Sequence, residues 1–513
     1  MKRVIPFLLA IVMLLSLSAC GKKETAEISD QTEQTVKETA GFSDQTRQAV
    51  KDFVAMYGKD SPDYQGNAYV VSDFDNTTCV FDITYQSIVC QIERMAFAMD
   101  PHALETALAV GLDLNADQNA EWIADIAAAY AYLWETYGPF TPAGVDEKTE
   151  ETIQSDPMWM EFAAKMRAFL YHVEDTTPEE VNYAWILYWF SGMTQDEVYD
   201  LFYRSCSENE KVESEWVTWT SPKEVESLLG VIECAFQRGV SVTQDVKDML
   251  KAFHDGGIDV WICSASHLDG VRAAVDAFGL SEWVTGVIGM TQTMENGVYL
   301  PSYDYENGYA WDNLGDGKWQ PSEYRIQALP GMEGKVTAVE NALVPRYGCG
   351  PLAGFMDSSG DFNFCTEFDS LKFVICYNRA NRKITEGAGL IAVLAVYQQE
   401  TLGYDLAKAN AAGDTYFVLQ GRDENGLRTM RPSNETIRLG EKKAQLFANK
   451  DNETLLQYAV EHGLTTADFL NTFAYATPAD DPGNLLGIEY GHLETYRGYH
   501  SVPDPAPELE DVA

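Results

Sequence analysis

The stretch YVVSDFDNTTCVFD at residues 69–82 closes an apolar run with two aspartates that flank a single phenylalanine, Asp73 and Asp75. Carboxylates repel one another and are costly to desolvate, so such a pair at the end of a buried strand calls for a cation or for proton-transfer chemistry nearby. Other apolar runs also finish in reactive residues: Ser264 after VWIC, with Ser266 and His267 just beyond, and Asp357 with Asp361 after AGFM. Lys335 stands at a helix start, where the helix dipole disfavours a cation, which points to a functional reason for it. Taken singly, the aspartate pair also fits a strand-end turn or a calcium site, Ser264 an ordinary helix cap, and His267 a local cap.

These residues converge only if several strands end at one place. Residues 67–75 contain a buried strand, and helical patterns fill residues 84–210. Within that block TPEE predicts Thr177 as a cap with Pro178 in the first turn and Glu180 at the reciprocal position, and TQDE repeats the device with Thr194 and Glu197. After residue 240, Val246, Met249, Leu250 and Phe253 lie at helical spacing, and IDVWICSAS reads as a fully buried strand. A second helix, the strand WVTGVIGM, a Gly- and Tyr-rich stretch that suggests a hairpin, a helix at Gly334, and the strands PLAGFMD and LKFVICYN follow. This alternation predicts an α/β fold with a parallel, doubly wound sheet, in which ligands bind beyond the carboxyl ends of the strands.

DFDNT, CSAS, the lysine of GK, and DSSGD occur in the order of motifs one to four of the haloacid dehalogenase superfamily of phosphohydrolases, which residues 67–380 resemble. The resemblance implies that Asp73 is a nucleophile forming an aspartyl-phosphate, and that Asp75 is the acid and base for the leaving group and for water. It implies Mg2+ held by Asp73, the backbone carbonyl of Asp75, Asp357 and Asp361. Ser264 and Lys335 would stabilise the phosphoryl group, with Thr77, Ser266 and His267 contributing to substrate binding. The helical block would be the cap that selects substrate. DFDNT followed by SASH further resembles the exported bacterial phosphorylcholine phosphatases, and Tyr85, Glu93, Trp185, Tyr188 and Trp189 offer aromatic and acidic groups suited to a quaternary ammonium. The expected function is hydrolysis of a small phosphomonoester. A phosphotransferase, or a surface lipoprotein that binds a phosphorylated ligand without turnover, are the alternatives.

The 513-residue chain carries 79 acidic against 36 basic residues, a formal charge of −43, which excludes nucleic acid as a partner and makes any phosphate site dependent on local cations. Lys2 and Arg3, the apolar run to Leu15 and the box Leu17-Ser18-Ala19-Cys20 resemble a bacterial lipoprotein signal. Cys20 would then carry the lipid and tether the protein to the outer face of a membrane. The remaining cysteines lack CxxC spacing, so a zinc cluster is not expected. The expected organisation is a signal at 1–20, a flexible tether at 21–44, a core at 45–82 and 240–400, a helical cap at 83–239, a C-terminal extension at 401–500 packed on the core, and a loose tail at 501–513. Arg422, Arg428 and Arg431 form a rare basic cluster in that extension and read as surface ion pairing.

Overall fold

Strand β1 (Tyr69–Ser72) has no exposed residue, because both of its faces are covered. Val70 joins a cluster with Phe53, Phe253, Val260 and Phe355, while Tyr69 and Val71 join a second cluster with Trp261, Val339, Val374 and Leu394. The alternation follows the two-residue period of a strand, and two apolar faces require helices on both sides of the sheet. The computed structural model describes residues 41–315, 317–475 and 482–488. The lipoprotein signal with Cys20, the tether as far as residue 40 and the tail from residue 501 lie outside the described residues.

Helix α1 (Asp44–Tyr57) precedes β1, and its cap Ser43 accepts from the Thr46 amide. Gly41 donates its amide to the Met430 carbonyl and Phe42 is buried, so residues 41–44, expected in the tether, pack onto the body. Between β1 and the next strand of the sheet run α2 (Ile83–Glu93), α3 (Pro101–Ala109), α4 (Asn119–Tyr137), α5 (Glu147–Gln154), α6 (Pro157–Thr176), α7 (Glu179–Leu187) and α8 (Gln195–Asn209). Thr194 and Glu197 form the predicted reciprocal cap of α8. Thr177 instead terminates α6, with its hydroxyl on the Val173 carbonyl at 2.7 Å, and Pro178 takes the cap position of α7. Two antiparallel strands, β2 (Glu215–Thr220) and β3 (Glu233–Arg238), close the insertion; their sequences alternate in burial but lack a short turn signal.

The chain returns through α9 (Gln244–Asp255) to β4 (Asp259–His267), α10 (Leu268–Ala277) and β5 (Gly286–Met290). The Gly- and Tyr-rich stretch makes two hairpins, β6 (Gln292–Glu295) with β7 (Val298–Tyr303), and β8 (Tyr309–Asn313) with β9 (Trp319–Arg325). The second of these extends the main sheet antiparallel to β5. Then come α11 (Glu333–Ala342), β10 (Ala353–Met356), β11 (Phe373–Tyr377), α12 (Gly387–Glu400) and β12 (Tyr416–Gln420). The eight-stranded sheet runs β12-β11-β10-β1-β4-β5-β8-β9, with β12 through β5 parallel. The doubly wound α/β expectation therefore holds. The boundary at residue 400 does not: β12, from the expected extension, is an integral strand of the sheet. Its successors β13 (Arg422–Asp423) and β14 (Thr429–Met430) form a small hairpin beside it.

Strand order reverses at β1, since the chain builds β4 and β5 on one side before crossing to β10 on the other. The crevice at the carboxyl ends of β1 and β10 is therefore a topological switch point, where ligand sites form. No helix among the described residues is long and apolar enough to cross a membrane. All eight cysteines from Cys79 to Cys376 are free thiols.

The helical insertion is held at its centre by a buried lysine. Lys165 reaches Asp125 at 2.8 Å and also pairs with Glu161, all three being nearly solvent-free, while Asp125 accepts from the Leu228 and Leu229 amides. Lys165→Met strands two buried carboxylates and should lower the unfolding free energy in urea by about 3–5 kcal/mol; a loss below about 1 kcal/mol would show that the triad is dispensable.

Candidate active site

At the end of β1 the loop Phe74–Thr78 turns back under its own strand. The Thr78 hydroxyl donates to the Asp73 carbonyl at 2.7 Å, and the Asp73 amide donates to Phe355 of β10 at 3.1 Å. Asp73 and Asp75 consequently face different surroundings.

Asp73 joins Asp357 and Asp361 from the end of β10, and one ligand oxygen from each lies within 4.8 Å of the others. The Lys335 ammonium, from the first turn of α11, bridges Asp73 and Asp361 at 2.6 Å to each. Burial pushes the Asp73 carboxyl well up, with Asp361 adding repulsion and Lys335 opposing it. Burial alone would depress Lys335, but Asp361 and Asp73 hold it well above its ordinary value, so it stays cationic. Asp357 accepts from Thr77 at 3.2 Å and from Arg379 at 3.1 Å. Asp361 is oriented by the Asp357 and Ser358 amides. Three buried carboxylates offer hard oxygen donors that fit a small divalent cation such as Mg2+; Lys335, Arg379 and, at 3.9 Å from Asp357, Arg382, which Glu386 also engages, supply the nearby protein cations.

The Asp75 carboxylate turns away from this cluster. It accepts from the Ile83 amide at 2.7 Å, from Ser266 at 2.7 Å and from Ser264 at 3.1 Å. Burial, reinforced by Asp82, raises it to about 8 despite those donors. Burial thus raises both carboxyls, while their partners differ: Asp73 faces Lys335 and the other aspartates, and Asp75 faces hydroxyl and amide donors.

Asp73, Asp75, Ser266, Lys335, Asp357 and Asp361 line one cavity of about 410 Å³. Ser264 does not reach it: its hydroxyl lies behind Asp75, holding that carboxylate and accepting from the Ser266 amide at 3.0 Å. Thr77 sits behind Asp357 in the same way. His267 points elsewhere. It caps α10 by accepting from the Asp269 amide and packs against Phe190 and Tyr299, bordering a different cavity. Among the expected aromatic and acidic residues only Tyr85 reaches the first cavity. Trp185, Tyr188 and Trp189 are buried in the insertion's core, and Glu93 pairs with Arg238.

The cavity wall also contains residues that the motifs did not indicate. Tyr85 donates to Glu174, Asp82 caps α2, and Tyr183 stands on α7 opposite Ser358 and Gly360. Arg379 and Arg382 follow the carboxyl end of β11, and that position at a parallel strand's end was the available signal for them. Glu174 lies near the end of the 20-residue α6 and Tyr183 on the nine-residue α7, where nothing in the sequence separates a cavity residue from an ordinary helix residue. Three non-glycine residues with positive φ, Asn76, Met332 and Ala380, surround the site. Such strain persists where surrounding structure enforces it and gathers at functional sites.

Among solved structures, a conserved protein of unknown function from Anaerococcus prevotii DSM 20548 superposes with a TM-score of 0.60 at 23% identity, over 79% of this chain and 98% of that one. That likeness is one of fold. A protein of unknown function from Bordetella pertussis Tohama I (TM-score 0.31, 12% identity, 68% of this chain and 97% of that one) also matches. So does cytosolic 5'-nucleotidase IIIB bound to cytidine (TM-score 0.25, 11% identity, 65% and 78%). Both are too remote to bear on function. No family model and no curated protein matches the chain.

The buried position of His267 has a measurable consequence. Burial lowers its pKa from 6.5 to about 4, so between those values the unfolded chain binds a proton that the folded chain refuses. Stability must therefore fall as pH drops through that window, at up to about 1.4 kcal/mol per unit. His267→Asn keeps a capping acceptor and removes the titration, so its stability should fall less steeply between pH 6.5 and 4 than that of the wild type. Parallel denaturation profiles would contradict the neutral, buried assignment.

Proposed function

We propose that the chain is a Mg2+-dependent phosphomonoester hydrolase of the haloacid dehalogenase type, working through an aspartyl-phosphate on Asp73. One observation carries this: Asp73, Asp357 and Asp361 form a buried cluster able to hold a cation, with Lys335 bonded to Asp73, while the Asp75 carboxyl, lining the same cavity, is raised by burial to about 8. A carboxylate oxygen of Asp73 attacks phosphorus as the bond to the leaving oxygen breaks, and Asp75 gives that oxygen its proton. Asp75 then takes a proton from water, whose oxygen attacks the aspartyl-phosphate, releasing phosphate and restoring Asp73. Lys335 keeps Asp73 oriented and offsets charge on the phosphoryl group, and the Ser266 hydroxyl lies in reach of that group. Ser264 acts through Asp75. Mg2+, held by Asp73, Asp357, Asp361 and the Asp75 carbonyl, would supply the remaining charge neutralisation when bound.

The insertion between β1 and β4 serves as the cap. Its contribution to the cavity, Tyr85 and Tyr183 with Asp82 and Glu174, suits a leaving group that carries an ammonium, with phosphorylcholine as the representative substrate. Arg167 lies 5.0 Å over the Tyr85 ring and acts electrostatically on both carboxylates. The N-terminal sequence supports a lipid anchor at Cys20 and action at the outer face of a membrane.

Phosphate release should be measured with Mg2+ on phosphorylcholine, phosphoethanolamine, phosphoserine, sugar phosphates and nucleotides. Asp73→Asn should lower kcat by at least about 1,000-fold without unfolding the protein, and chelation should abolish turnover reversibly. Glu174→Gln should cost about tenfold in kcat/KM for phosphorylcholine and little for neutral esters. Undiminished release by Asp73→Asn would remove the mechanism, and an equal loss on all esters by Glu174→Gln would remove the ammonium pocket.

A further inference from the structure

Arg422, expected on the surface, is wholly buried behind the loop that carries Asp75. Its guanidinium donates to the Asn76 carbonyl at 2.7 Å and to the Asn76 side-chain oxygen at 3.1 Å. The same guanidinium is balanced by Glu424, with contacts of 3.0 and 2.7 Å to one carboxylate oxygen. Glu424 would be raised by burial, yet Arg422 and Arg379 hold it below its ordinary value, so the pair stays charged.

Neutralising Glu424 does not require contact with Asn76, so the two donors spent there need a separate reason. Asn76 adopts φ 60° and ψ 2°, a left-handed conformation that, glycine aside, asparagine adopts more readily than most residues. Its amide donates to the Phe81 carbonyl at 3.0 Å, and its carbonyl and side-chain oxygen both accept from Arg422. The conformation of Asn76 helps to set the plane of the Asp75–Asn76 peptide and so the direction of the Asp75 carbonyl, while the carboxylate is aimed through the Asp75 backbone and its bonds to Ile83, Ser264 and Ser266.

The Arg422 backbone is itself held at both of its polar groups. Its amide donates to Thr436 and its carbonyl accepts from Ile437. At the far end of the same hairpin Arg428 donates to Ser241 at 2.8 Å, to Val212 at 2.8 Å and to Ser214 at 2.9 Å. The hairpin is thereby fixed to the segment between α8 and β2 and to the segment that follows β3.

We propose that Arg422 is a positioning residue for the reaction: the β13–β14 hairpin uses it to hold Asn76 in its left-handed conformation and so to aim Asp75. This rests on the phosphatase reading above. With a misplacement of order 1 Å costing about 100-fold in rate, Arg422→Gln should lower kcat by roughly that factor with KM within about twofold of wild type. Arg422→Lys, which keeps the charge and a donor, should recover about tenfold of the loss.

Amide hydrogen exchange on the same proteins supplies a readout independent of turnover. Arg422→Gln should speed exchange at Asn76 and Cys79 by at least tenfold while β4 and β5 stay protected. Unchanged kcat and unchanged exchange would overturn the proposal. So would a uniform loss of protection across the sheet with no recovery by lysine, which would mark Arg422 as bulk structural support. If wild-type protein releases phosphate from no ester, the phosphatase reading fails, and the exchange result alone decides whether Arg422 fixes the loop.

Discussion

The Lys335 ammonium between Asp73 and Asp361 is the contact on which the rest of the site depends. Four aspartates crowd the carboxyl ends of two adjacent strands, and without internal cations they could not share that space in ionised form. Lys335, Arg379 and Arg382 supply compensating charge from the protein side, and the three clustered carboxylates define a place for a divalent ion. The acidic balance of the chain makes this local compensation necessary, since nothing long-range draws an anion in.

Position in the sheet does most of the assembly. β1 lies between β10 and β4, so residues separated by nearly two hundred or nearly three hundred positions in sequence end one strand spacing apart. Hydrogen bonding then sorts chemically similar residues into different tasks. Ser264 and Ser266 are two residues apart on β4, yet one braces Asp75 from behind and the other faces the cavity. Asp73 and Asp75 separate in the same way, one toward cations and the other toward hydroxyl and amide donors. The C-terminal part of the chain takes part in this sorting, because β12 completes the sheet and the hairpin after it reaches Asn76.

The parallel core was legible because fully buried strands write continuous apolar runs, and the polar residues that close those runs stand out against them. VWIC, AGFM and YVVS all announced their strands. The second face of the cavity was not legible. Glu174 and Tyr183 sit on helices whose pattern encodes only the packing of one face, and Trp185 and Trp189, which looked suited to a ligand, are large apolar groups that the insertion needs for its own core. Arg422 misled for a related reason: arginine is seldom buried, and sequence cannot show that Glu424 and Asn76 together satisfy its guanidinium. His267 follows the serines closely, but as the last residue of β4 it caps α10 and borders a different cavity.

The most direct test of this account is acid quenching of the protein during turnover with a phosphomonoester and Mg2+, followed by peptide mass spectrometry of residues 69–82. The account predicts one phosphoryl group on Asp73, absent from Asp73→Asn and lost on treatment with hydroxylamine. Steady hydrolysis with no phosphorylated peptide at any quench time, or phosphate on a residue other than Asp73, would contradict it.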